Sequence, residues 1–184
     1  MEIYAKREIT TRPPYLSDSE IQKEIEGTFK YLETPDQSRA IEDIEKDMES
    51  EKPMDRIVCG DVGFGKTEVA LRAIIKVIIS GRQAAMLAPT TILADQHYQN
   101  FKERLKNLPI KLALLSRFQT KREQRGVSTG LVQGKFDLVI GTHRLLSKDI
   151  IFNNLGLLVI DDEQRFGVKQ KEKFKKERPN LDIL

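Results

Sequence analysis

The sequence predicts an α/β domain with a mostly parallel central sheet and helices on both faces. Three observations predict it. From residue 56 onward, short apolar runs alternate with longer segments of helical periodicity. The runs are continuously apolar rather than alternating, as in strands buried on both faces. The residues of chemical interest follow the runs, where open α/β sheets bind ligands at strand carboxyl ends.

Taken in order, residues 1–12 are mixed and charged, and Pro13-Pro14 breaks any helix there. "SDSEIQKEIEGTF" opens on capping residues and spaces Ile21, Ile25 and Phe29 for a short amphipathic helix. "TPDQSRAIEDIEKDM" offers Thr34 as cap, Pro35 in the first turn and a stripe of Ile41, Ile44 and Met48. The strands are "RIVCG" (56–60), "QAAMLAP" (83–89), "KLALLS" (111–116), "FDLVIGT" (136–142) and "LGLLVID" (155–161). Helices are expected over 65–80, 91–106, 120–133 and 169–178. The lysine-rich "KQKEKFKKERPN" reads as a solvated helix face, and "NLDIL" as a further strand cut short by the chain's end. Residues 1–33 form an N-terminal helical extension or linker, and 34–184 the α/β domain.

At 184 residues, 39% hydrophobic, the chain suffices for one domain with its own core. A net charge of +3 permits nucleic-acid contact without arguing for it. The single cysteine, Cys59, excludes a disulfide within the chain and suits a reducing compartment. Its apolar neighbours predict a small buried hydrophobe. No apolar run approaches the roughly 18 residues of a membrane span, and the charged start is no signal peptide. A cytoplasmic protein without a membrane partner is expected.

"GDVGFGKT", residues 60–67, fits G-x-x-x-x-G-K-[ST] between an expected strand and an expected helix. Gly60, Gly63 and Gly65 let the backbone turn and bring N–H groups close to phosphate oxygens; Asp61, Val62 and Phe64 complete the loop. The helix start adds roughly half a positive charge. Lys66 should reach the β and γ phosphates of a nucleotide, and the Thr67 hydroxyl should hold Mg²⁺. A phosphate loop needs a second acid to anchor that metal, and Asp161, ending "LLVID", supplies it. Phe64 packs on the nucleotide or a neighbouring domain, or is simply tolerated.

These signals fit small-molecule kinases, GTPases, transporters and helicases alike. No Asn-Lys-x-Asp stretch for guanine is present. Gln37 precedes a helix upstream of the loop, where an amide can read adenine's edge. A small-molecule kinase would need an acceptor site and a lid, and the threonine-rich strand ends argue against it.

"PMDRIVCGDVGFGKTEVALRA", "LAPTTILADQHYQNF", "LSRF", "IGTHRLLS" and "LGLLVIDDEQRFGV" resemble the first RecA-like motor domain of bacterial transcription-repair coupling factors, members of the superfamily 2 helicases. The resemblance covers nearly the whole chain, including "EIYAKRE". The branch-migration helicase RecG is the neighbouring family. The resemblance implies a RecA-like P-loop NTPase fold, ATP and Mg²⁺ as ligands, and translocation on double-stranded DNA. It implies RNA polymerase and excision-repair proteins as partners, engaged through parts outside these residues, and a second RecA-like lobe that completes the ATP site. Gln37 would contact adenine, with Phe29 or Tyr31 near the base. Lys66, Asp161, Asp162 and Gln164 would form the catalytic set, with Asp162 activating water and Gln164 coupling to the second lobe. Pro89, Thr90, Thr91, Arg117, Thr142, His143 and Arg144 would touch phosphates of one DNA strand. Thr90 and Thr91 equally suit a helix cap, His143 a plain loop, and His97 a structural place in its helix.

The sequence departs from the family at one position, with Asp-Asp where the family has Asp-Glu. Asp162 is a methylene short, which withdraws its carboxylate by roughly 1.3–1.5 Å. Strand alternation should keep Glu163 from replacing it. ATP binding with slowed hydrolysis is expected. The competing reading is a non-catalytic nucleotide- or DNA-binding module.

Overall fold

Thr34 begins the first helix by a reciprocal cap. Its hydroxyl accepts from the Gln37 N–H at 3.3 Å, and Gln37 Oε1 accepts from the Thr34 N–H at 2.8 Å. Helix α1 (Pro35–Met48) buries Ile41, Ile44 and Met48. They pack on α2 (Lys66–Ile79), which is buried from Glu68 to Val77, as expected of a helix between a sheet and a second helix. The structure, a computed structural model, describes residues 7, 9–16, 20, 23, 27, 33–61, 63–162 and 174–184.

The sheet alternates with helices from there. Strand β1 (Gln83–Leu87) leads to α3 (Thr91–Arg104), then β2 (Leu112–Leu115), α4 (Lys121–Val132) and β3 (Leu138–Gly141). A 3₁₀ turn (His143–Leu146), β4 (Leu155–Ile160) and the short β5 (Asp182–Ile183) follow. The sheet is five-stranded and parallel throughout, in the order β2-β3-β1-β4-β5. β1 lies at its centre, buried along its length.

The period of two within each strand divides the core. Ala84, Met86, Leu138, Ile140, Leu157 and Val159 face α1, α2 and α3, where Leu71, Ile74, Ile75 and Phe101 meet them. Ala85, Leu87, Val139 and Leu158 face the opposite layer, with Val127 and Leu131 of α4, Leu145, Ile150 and Phe174. Burying each large side chain of this kind stabilises by about 1.5–3 kcal/mol before entropy is counted.

The helix expected over "TPDQSRAIEDIEKDM", those expected over 65–80, 91–106 and 120–133, and the inner strands form, trimmed by a residue or two at their ends. The first expected strand does not. Residues 56–60 lie outside the ladder, and the segment joins the sheet only by a parallel bridge between Asp55 and Ile183. Arg56 N–H donates to the Ile183 carbonyl at 3.0 Å, the last contact of this segment with the ladder among the described residues. Ile57, outside the ladder, is 70% exposed. Cys59, expected to be buried, lies in this stretch outside the ladder and is exposed. "NLDIL" does supply a strand, β5. The helix expected at 169–178 is described only over 174–177, and the one over "SDSEIQKEIEGTF" lies for the most part outside the described residues.

The N-terminal segment packs against the sheet's N-terminal end. Arg12 N–H donates to the Glu51 carbonyl and Tyr15 N–H to that of Met48. The Tyr15 hydroxyl lies 2.7 Å from Asp182 and 3.0 Å from the Gly156 carbonyl. Arg12 pairs with Asp182 at 2.7 Å, both side chains fully buried. Among the described residues no helix is long and apolar enough to cross a membrane.

Candidate functional site

The loop after residue 59 turns on glycines. Gly63 and Gly65 have φ of 89° and 81°, in the left-handed region closed to most side chains. Phe64 N–H closes a turn onto the Asp61 carbonyl at 3.1 Å. The Phe64 ring folds back over Gly60, so that a Cβ at Gly60 would lie within 2.9 Å of Phe64 Cβ. Phe64 thus shapes the loop rather than being merely tolerated. α2 starts at Lys66 without a side-chain cap, leaving its first amide groups for a ligand. Lys66 Nζ donates to the Gly60 and Asp61 carbonyls, at 2.5 and 3.0 Å.

Gln37 is placed against this loop. It is 7% exposed, and its Nε2 donates to the Phe64 carbonyl while its Oε1 serves the α1 cap. The amide therefore ties the start of α1 to the loop 60–67. Phe29, Tyr31, Val62, Glu163 and Gln164 lie outside the described residues.

Asp161 follows β4, and its N–H donates to the Leu87 carbonyl at 2.9 Å. It lines a cleft of about 870 Å³ together with Gly60, Lys66, Thr67 and Asp162. Asp162 lies beyond the strand with φ of 57°, the one non-glycine residue at positive φ among those described. Strand alternation therefore ends at Ile160 and does not set the direction of Asp162, while the expectation for Glu163 falls outside the described residues.

The remaining expected contacts leave the same sheet edge on neighbouring strands. Pro89 and Thr90 follow β1. Thr142, His143 and Arg144 follow β3, and Arg117 follows β2. Because the order is β2-β3-β1-β4-β5, these loops fill one half of the edge and the phosphate loop with Asp161 fills the other. Within the first half the side chains differ in freedom. Thr90 is exposed yet caps α3, accepting from the Leu93 N–H at 3.2 Å. Thr91 and Thr142 are buried, while His143 and Arg117 are exposed. Arg144 is held by both oxygens of Asp149, at 2.7 and 2.5 Å, which keeps its guanidinium charged.

Two features escaped the sequence reading. His97 of α3 lies 2.8 Å from Asp161. Glu68, buried beside Thr67, pairs with Arg72 on its own helix at 3.2 Å and with Arg104 at the end of α3. No spacing rule joins residues 64 or 36 positions apart. The available signal was topological: α3 follows β1, and β1 neighbours β4.

The model of the DEAD/DEAH box helicases matches residues 34–181. The chain belongs to the DEAD/DEAH box helicase family. This helicase domain is 55% identical over its whole length to the transcription-repair-coupling factor of Bacillus subtilis, and 50% to that of Haemophilus influenzae. It spans 16% of the length of each of these relatives. Among solved structures, RecG bound to a three-way DNA junction aligns with all of this chain and 24% of its own, at 38% identity and a TM-score of 0.85. The DEAD-box helicase Mss116 bound to ssRNA and UDP-BeF aligns with 94% of this chain and 41% of its own, at 18% identity and a TM-score of 0.73, a likeness of fold alone. The five-stranded parallel sheet is thus the RecA-like sheet of this helicase family.

Proposed function

We propose that this helicase domain is the ATP-binding half of a motor that translocates on double-stranded DNA, as part of a transcription-repair coupling factor. The observation that carries the reading is the division of one sheet edge: phosphate-binding groups and an acid on one half, hydroxyl and basic side chains on the other. Identities near half over the whole chain favour the coupling factor over RecG, at 38%.

In this reading the loop 60–67 and the first amides of α2 cradle the phosphates. Lys66, already over two loop carbonyls, exchanges them for phosphate oxygens. The residues present suit Mg²⁺: the Thr67 hydroxyl and the Asp161 carboxylate are hard oxygen donors lining one cleft, and phosphate and water complete such a sphere. Bound there, Mg²⁺ would neutralise charge developing on the phosphates. Asp162 orients the attacking water. Gln164 couples the nucleotide to a second RecA-like lobe, whose arginines stabilise the transition state. Gln37 contacts adenine on one side and holds Phe64 on the other, with Phe29 or Tyr31 near the base. Pro89, Thr90, Thr91, Arg117, Thr142, His143 and Arg144 hold phosphates without reading sequence. RNA polymerase and excision-repair proteins would meet other parts of the longer protein, in the cytoplasm. Residues 1–184 alone should hydrolyse ATP slowly or not at all.

Equilibrium binding of a fluorescent ATP analogue tests this. The chain should bind, Mg²⁺ should tighten binding, and Lys66→Ala should weaken it about tenfold or more, since a charge-assisted contact contributes about 1.5–3 kcal/mol. A folded chain that binds no nucleotide would move the reading to a bare DNA-binding module.

A further inference from the structure

The proposed mechanism uses Asp161 and leaves His97 without a role. His97 Nε2 lies 2.8 Å from Asp161 Oδ2, with the imidazole 13% and the carboxylate 31% exposed. A carboxylate only accepts, so Nε2 carries the proton in this contact. The ring is backed by Phe101, one turn further along α3 and fully buried, at a centroid distance of 6.3 Å. Asp161 is therefore held twice, its N–H by β1 and its carboxylate by the helix that follows β1. With Oδ2 engaged, Oδ1 is the oxygen left for a metal or its water.

That helix belongs to both halves of the edge. It starts under the cap of Thr90, on the half assigned to DNA. Its last residue, Arg104, pairs with Glu68, which follows Thr67. One helix thus carries the Thr90 cap, the His97 contact to Asp161 and the Arg104 pair with Glu68.

We propose that His97 is a positioning residue that orients the Asp161 carboxylate for Mg²⁺ and makes α3 part of the nucleotide site. The proposal rests on the nucleotide reading above. Outer-shell partners of metal ligands typically change metal affinity by about 10–100-fold when removed. The test is a Mg²⁺ titration of fluorescent ATP-analogue binding to the full chain, with His97→Leu, His97→Asn and His97→Gln. The glutamine amide reaches about as far as Nε2, and the asparagine amide falls roughly one bond short. Metal-free affinity should stay within about twofold of native in all three. The Mg²⁺ concentration for half-maximal tightening should rise about tenfold in His97→Asn and His97→Leu, and stay near native in His97→Gln. Native Mg²⁺ dependence in all three variants would overturn the proposal. So would equal shifts in all three accompanied by lowered melting temperatures, which mark packing alone. A native chain whose nucleotide binding ignores Mg²⁺ overturns the nucleotide reading itself, and this proposal with it.

Discussion

Replacing Arg12 with alanine is expected to cost the fold about 3–5 kcal/mol, the typical result of breaking a buried ion pair from one side. Urea unfolding of the chain and the variant measures it. Arg12 and Asp182 are both fully buried, 2.7 Å apart. The guanidinium also donates to the Met48 and Ser50 carbonyls, at 3.0 and 2.8 Å, and stacks 4.4 Å over the Tyr15 ring. Its loss strands a buried carboxylate and two carbonyls together. The position matters because Asp182 lies in β5, between β4 and the segment leading to the phosphate loop, and accepts from the Met54 N–H at 2.5 Å. The N-terminal segment is thereby pinned to β5 and to the segment that leads to residues 60–67.

The same pair gives a pH signature of known sign. Burial pushes the Asp182 carboxyl above its ordinary 3.8, against the opposing pull of Arg12, the Met54 N–H and the Tyr15 hydroxyl. The folded state then binds the proton more tightly than the unfolded one. The group's contribution is full below the unfolded pKa and is lost as pH rises through the folded one. Without Arg12 the folded value rises further. The cost of Arg12→Ala should therefore be smaller near about pH 5 than near about pH 8, and Asp182→Asn should restore part of the lost stability at the higher pH. A cost that grows on acidification would contradict this account.

None of this pair was legible in the sequence. Residues 1–12 read only as mixed and charged, because the partner of Arg12 stands at position 182 and only the fold brings it near. The inner strands were legible because β1, β3 and β4 are buried on both faces and so continuously apolar. The stretch 56–60 is similarly apolar yet lies outside the ladder, and composition does not distinguish the two cases. The glycine-rich loop 60–67 and the acid ending the apolar run stand out in the sequence because each is a local pattern. The link from His97 to Asp161 was not, since it depends on which strands become neighbours. The caps were half legible: Thr90 does cap α3, and whether it also meets DNA is a question of surface rather than of pattern.

Asp162→Glu, made in a longer chain that carries a second RecA-like lobe, should raise the ATP turnover number by about tenfold to a hundredfold, with KM little changed, since a misplacement of about 1 Å in a catalytic group costs on the order of a hundredfold. Steady-state ATPase assays with DNA measure it. The backbone bears on the outcome. Asp162 has φ of 57°, a conformation that aspartate tolerates better than most residues because its short side chain bonds locally. Glutamate lacks that compensation, so the variant should lose on the order of 1 kcal/mol of stability, or less, while gaining rate. Since Asp162 lies past the end of β4, the turn rather than the strand aims its carboxylate. A turn can also shift to bring a shorter side chain forward, and that adjustment is what the experiment weighs. An unchanged turnover number would mean that the turn already delivers the aspartate to the water, and the slow-hydrolysis expectation would be wrong. A rise of the expected size would mean that the shorter acid limits the motor, with binding and hydrolysis separable at this single methylene.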